Sequence, residues 1–587
     1  MLKIFKYLKR NEWLLVVVSI AFIVLQVWLD LKLPDYMAEI TTMIQTKGTG
    51  TSELLVPGLY MLLCAVGSMV AAIIVGFFAA KIAAGLSMRL RGMVFNKTLS
   101  FSMEEINGFS IASLITRSTN DITQIQLIVA MGLQLVIKAP ILAIWAVIKI
   151  SGKSWQWTAA TGGAVGALII MLLTVIIFVM PKFQSIQRLT DNLNRVTREN
   201  LTGLRVVRAY NSEKYQEGKF EKANDDLTKT NLFANRLLAI FSPGMTFIMS
   251  GLSVSIYWIG AHLINAAEMS DRIGVFSNMV VFSSYAVQVV MAFMMVSMIF
   301  IMMPRAAVSA KRVLEVLETE SKIIEGNITE GPSGVVGEVE FRNVSFKYPD
   351  AEAPILQNIT FKAQKGETVA FIGSTGSGKT SVINLIPRFY DVTDGEVLVD
   401  GINVKNYSQE ALHNKIGYVP QRAILFSGTI ASNVGYGDNG KAKSADDMIK
   451  YAVEIAQGKE FVEKMEGQYE GHISQGGGNV SGGQKQRLSI ARAIYREPEI
   501  YIFDDSFSAL DYKTDHILRS ALKKGTKDAT TLIVAQRIGT IKNADRIIVL
   551  EEGKVVGNGT HKDLLENCKT YQEIAYSQLS KEELAHE

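Results

Sequence analysis

Two short stretches carry residue types suited to phosphate chemistry. Gly373-Ser374-Thr375-Gly376-Ser377-Gly378-Lys379-Thr380 follows the strand-like run Glu367–Ile372 and precedes the helical run Ser381–Ile386. Glycines at these spacings let successive backbone N–H groups converge on phosphate oxygens, and a helix N-terminus adds its dipole. Lys379 then reaches β and γ oxygens, and Thr380 supplies a hydroxyl for Mg²⁺. Further along, the apolar strand Glu499–Phe503 ends in Asp504, suitably placed to hold Mg²⁺ through water. Together they predict a site for ATP and Mg²⁺.

Such a loop has to sit at the end of a buried strand. From Glu338 onward (EVEFRNVSF) the chain interleaves short β-branched runs with helical ones, the pattern of an α/β domain with a largely parallel sheet. The first half has a different character. Residues 13–33, 54–80, 122–148, 154–180, 237–265 and 274–303 are long apolar runs, most of them without a single charge. A spanning helix needs about twenty apolar residues, so these predict six transmembrane helices. The expected organisation is a membrane domain over 1–310, a linker over 311–337 and an α/β domain over 338–587. The whole-chain composition, 48% apolar and 20% charged over 587 residues, fits two such halves.

Lys and Arg concentrate before the first span, after the second and after the fourth, which places both termini and the loops Met88–Asn120 and Lys182–Arg236 in the cytoplasm. Those loops keep helical spacing, as if the spans continued beyond the bilayer. Lys138 is the one basic residue well inside a span: an intramembrane charge marks function, whereas an extended third span places it near the inner interface, where its ammonium can snorkel. Methionines and phenylalanines crowd the sixth span (Met291, Met294, Met295, Met298, Phe293), and suit either packing or an adaptable surface for apolar ligands. A net charge of +4 with no basic block gives no support to nucleic-acid binding, and Cys64 and Cys568 are too few and too far apart for a disulfide scaffold.

Val480-Ser481-Gly482-Gly483-Gln484 closely resembles the LSGGQ signature of ATP-binding cassette (ABC) transporters. Around it, in order, stand Tyr348 in SFKYP, Gln421 in YVPQ and Asp511 in SALD. Six spans ahead of one cassette resemble a half-transporter of the exporter type. The resemblance implies that Tyr348 stacks on adenine and that Gln421 senses the γ-phosphate and Mg²⁺. It also implies that Ser481, Gly482, Gly483 and Gln484 complete the site of another cassette, that Asp511 forms the D-loop, and that coupling helices lie near Phe101–Ile115 and Arg208–Tyr215.

Two positions depart from the family pattern. Asp505 stands where the family usually has a catalytic Glu, and Gln536, in Val534-Ala535-Gln536-Arg537, stands where it usually has a switch His. Asp is one methylene shorter than Glu, and a base held about 1.5 Å short can cost roughly a hundredfold in rate. Gln536 can donate a hydrogen bond but cannot become cationic. The expectation is retained binding, impaired hydrolysis and a heterodimer with a second half-transporter bearing the competent site. The resemblance further implies efflux of amphipathic small molecules across a bacterial cytoplasmic membrane by alternating access. Lipid or peptide transport, siderophore import on the same fold and nucleotide-gated sensing are the alternatives.

Overall fold

The computed structural model describes residues 2–45, 51–151, 154–269, 271–332, 334, 336–436, 446–526 and 528–579. Contacts divide the chain into two compact units, Met1–Leu99 with Ile111–Thr319, and Ser100–Ser110 with Glu320–Glu587.

The first unit is helical: α1 (Arg10–Gln45), α2 (Thr51–Leu99), then, after the short α3 (Met103–Phe109) and α4 (Ile111–Ser118), α5 (Asn120–Ser151), α6 (Trp155–Thr202), α7 (Leu204–Ala209), α8 (Glu213–Ala266) and α9 (Arg272–Glu318). Six of these are long and apolar enough to cross a membrane. The longest reach 48 to 54 residues, so at about 1.5 Å per residue they extend well beyond a bilayer core of about 30 Å. Helix α1 packs along α2, α5 along α9 and α6 along α8. Along α1, Ser19, Ile23, Val27 and Leu31 are buried at every fourth position, one stripe facing its neighbours. The opposite faces stay apolar and uncovered: Phe247, Val254 and Trp258 on α8 are all more than 60% exposed. In water such a surface would drive aggregation. Lipid solvates it.

Into the linker expected over 311–337, α9 continues unbroken to Glu318 with Ala310, Val313 and Val316 buried. The helix expected at Arg208–Tyr215 is α7, Leu204–Ala209; the chain turns at Tyr210 and Asn211, the latter with φ of 50°, a conformation Asn tolerates. The Lys138 ammonium lies 3.1 Å from Asp30 of α1.

The second unit begins with α3, whose start is fixed by a capping box between Ser102 and Glu105. Strands β1 (Val339–Phe346), β2 (Leu356–Ala363), β4 (Asp394–Val399) and β5 (Ile402–Asn403) form an antiparallel sheet in the order β2-β1-β4-β5. A second sheet combines β3 (Thr368–Gly373), β6 (Ile416–Val419), β9 (Ile500–Asp504), β10 (Thr530–Val534), β11 (Arg546–Glu551) and β12 (Lys554–Gly559) in the order β12-β11-β3-β10-β9-β6. Its strands run parallel except for the β11–β12 hairpin. The small pair β7 (Gly428–Thr429) and β8 (His472–Ile473) stands apart. Strand β9 is buried along its whole length, as its unbroken apolar pattern requires.

Candidate functional site

The loop after β3 wraps around the ammonium of Lys379, which donates to the carbonyls of Gly373 (2.8 Å) and Ser374 (2.7 Å) and leads into α10 (Lys379–Leu385). Gly378 caps α10 at φ of 96°, and a Cβ there would lie 2.6 Å from Leu356, so only glycine closes this turn against β2. Burial pulls the Lys379 pKa down, opposed by the nearby Asp505 and Asp504 carboxylates.

The other groups come from the C-terminal ends of three adjacent parallel strands. Asp504 ends β9, Gln421 follows β6 by two residues and Gln536 follows β10 by two; Val534 is level with Asp504, and Phe503 with Val419. The C-terminal edge of a parallel sheet is where α/β folds bind ligands. Thr380 donates to Asp504 at 2.9 Å, bringing two hard oxygen donors side by side. Burial raises the Asp504 pKa, with Thr380 opposing and Asp505 adding to the rise. Such a pair fits Mg²⁺ held jointly with phosphate oxygens.

Asp505 has its backbone at φ of 45°, pinned by an N–H bond to Val534, and one carboxylate oxygen accepts from both Gln421 (3.3 Å) and Gln536 (3.0 Å). Burial raises its pKa, opposed chiefly by the Gln421 hydrogen bond. Together these groups line a cavity of about 250 Å³ with Thr375, Gly376, Gly378, Lys379 and Thr380.

Tyr348 stands outside the cavity, sharing a 3.1 Å hydrogen bond with Ser381 of α10 and packing edge-on against Tyr390. Ser481 caps the helix Gly482–Tyr495 in a capping box with Gln484, and Gly483 backs onto Ala509 and Leu510. Asp511 caps the next helix through Thr514. None of Ser481, Gly482, Gly483, Gln484 and Asp511 lines the cavity. Sequence reasoning missed Tyr390, whose hydroxyl accepts a 3.2 Å bond from Asn107 of α3; only its aromatic character and the nearby Tyr348 hinted at it.

Comparison with known proteins settles the family. Residues 16–293 match the ABC transporter transmembrane region and residues 356–508 match the ABC transporter cassette. An uncharacterized ABC transporter ATP-binding protein of Mycobacterium tuberculosis is 39% identical over 94% of this chain and 93% of its own length.

The chain belongs to the ABC transporter family.

An ATP-dependent lipid A-core flippase of Syntrophus aciditrophicus is 31% identical over 88% of this chain and 84% of its own. A bacterial Atm1-family ABC exporter solved with ATP bound superposes with a TM-score of 0.80 at 22% identity, covering 97% of this transporter and all of that chain. The fold is therefore that of an ABC exporter half: a six-span helical membrane domain followed by its cassette. The protein is a multi-pass membrane transporter with an ABC ATPase domain.

Proposed function

We propose that this transporter is the hydrolysis-impaired half of a heterodimeric ATP-driven exporter of amphipathic small molecules, set in a bacterial cytoplasmic membrane with its cassette in the cytoplasm. The observation that carries the reading is the state of Asp505. Its short side chain is drawn into a pair of amide donors, Gln421 and Gln536, and neither amide can take up a proton as imidazole would. Gly373 to Thr380 with Asp504 would bind nucleotide and metal, a reading supported by the Lys379–Gly373 and Thr380–Asp504 hydrogen bonds. When bound there, Mg²⁺ would offset charge on the phosphate oxygens. Asp505 would then orient the attacking water poorly, because reaching it means giving up at least one amide partner. A second cassette supplying a carboxylate of full length and an imidazole would carry the turnover.

The test is ATPase of the purified full chain, alone and with its cognate half. Alone it should turn over slowly; the pair should be fast, and loss of the partner's catalytic carboxylate should abolish nearly all activity. Vigorous turnover by the chain alone overturns the reading. Relatives named lipid A-core flippase favour a second reading, in which the cargo is a lipid moved between leaflets. Reconstituted flipping of a labelled lipid against efflux of a soluble dye separates the two.

A further inference from the structure

Within the membrane unit, two spans bring polar side chains together at bilayer depth. Gln26 and Asp30 lie one turn apart on one face of α1, and Gln134 and Lys138 stand in the same relation on α5. Lys138 lies thirteen residues, roughly 20 Å, from the Ser151 end of α5, well inside the span. Lys138 and Asp30 pair at 3.1 Å, the other Asp30 oxygen accepts from Ser68 of α2, and Gln288 of α9 donates to the Asp30 carbonyl while its own side-chain oxygen is buried without a partner. Gln26, Gln134 and Lys138 line a cavity of about 120 Å³ whose remaining walls are apolar, Ile23 and Met295 among them. Among the described residues the side-chain amides of Gln26 and Gln134 make no hydrogen bond.

Gln26 is half-buried and Gln134 exposed, so both amides are open at this cavity to a polar group that enters it. A second Lys–Asp pair between the same helices, Lys149 with Asp35, is closed by the Tyr285 hydroxyl. We infer that the Lys138–Asp30 site binds the compact zwitterionic head of an amphipath, an acidic phosphate or carboxylate against Lys138 and an ammonium against Asp30, with Gln26 and Gln134 bridging. The argument is charge balance in a medium of low dielectric. A ligand with one charge would open the internal pair and leave the other partner unmatched, whereas a zwitterion replaces one ion pair by two and moves no net charge. Lys138 and Asp30 are 18% and 25% exposed at the side chain, so both are open to exchange.

This inference rests on the proposed amphipath transport only in taking the membrane unit as the route for cargo. Its test is equilibrium binding to the nucleotide-free full chain in nanodiscs, which stands or falls apart from any ATPase or pairing result. The probes share one alkyl chain and carry phosphoethanolamine, phosphate, ammonium or hydroxyl. The wild type should prefer phosphoethanolamine by about tenfold or more. Lys138→Gln should shift the preference toward the alkylammonium and Asp30→Asn toward the alkyl phosphate. Should either single variant fail to fold, the neutral double variant Lys138→Gln with Asp30→Asn leaves no charge unpaired, and it should bind phosphoethanolamine no better than the alcohol. An unchanged ranking of probes in the singles, or a retained phosphoethanolamine preference in the double, makes the pair a static strut between α1 and α5 and overturns the inference.

Discussion

At the position of Asp505 one carboxylate oxygen serves two amides, and this predicts how the site responds to repair. Asp505→Glu adds the missing methylene, and combined with Gln536→His it also supplies an ionisable ring. The double variant of the chain alone should hydrolyse ATP about tenfold faster or more, while Asp505→Asn changes the slow parent rate little; steady-state ATPase of purified protein reads both. The residue types were legible in the sequence because motif spacing fixes them. Their convergence was not, since Gln421, Asp505 and Gln536 meet only through the lateral order of β6, β9 and β10, a long-range property. Ionisation gives a further expectation. Metal binding needs Asp504 ionised, and burial raises its pKa, so Mg-nucleotide affinity should begin to fall on acidification at a higher pH than for an ordinary aspartate. Burial lowers the Lys379 pKa, so affinity should fall again on the alkaline side before an ordinary lysine titrates. Binding of a fluorescent nucleotide across pH, with and without Mg²⁺, checks both limbs; the acid limb should shrink without metal.

Helix α3 lies in chain order between the membrane helices α2 and α5 yet belongs to the cassette's compact unit. Although burial pushes the Glu105 pKa up, hydrogen bonds from Ser102 and the Lys322 backbone hold it below the usual range, so the cap stays charged at neutral pH. From α3, Asn107 reaches the Tyr390 hydroxyl; Tyr390 meets Tyr348 edge to face at 5.1 Å, and Tyr348 bonds Ser381 in the helix after the phosphate loop. Tyr390→Phe removes one hydrogen bond, worth about 1 kcal/mol, and keeps the ring. Nucleotide affinity should therefore hold while cargo moved per ATP falls in the assembled transporter; coupled flux and ATPase in liposomes measure the ratio. An unchanged ratio would leave this contact as packing alone. The sequence carried the six spans and the cassette strands because their periodicities are strong. It missed α7 by a few residues because a helix this short has too little repeat to mark its ends, and it did not pair Lys138 because the partner, Asp30, lies on another span.

For the whole molecule the decisive feature is a motif that does not serve its own cavity. Ser481, Gly482, Gly483 and Gln484 open the helix Gly482–Tyr495 with its N-terminal N–H groups, and none of them lines the cavity of Lys379 and Asp504. If they complete the competent site on the second half-transporter, damage here should stop turnover while nucleotide at this chain's own loop stays bound. The substitution must spare the fold, and Ser481→Asp does. Aspartate caps a helix as well as serine, so the N-cap bond to Gln484 is kept, while a carboxylate replaces a hydroxyl where a γ-phosphate would approach. Like-charge repulsion against that phosphate should lower heterodimer ATPase by about tenfold or more. Nucleotide retained by this chain, counted by photolabelling, should match the parent, and Ser481→Thr, which keeps a hydroxyl, should restore most of the rate. Normal turnover in the Asp variant would mean that the signature serves no catalytic site in the pair, and the division of labour between the two halves would have to be abandoned.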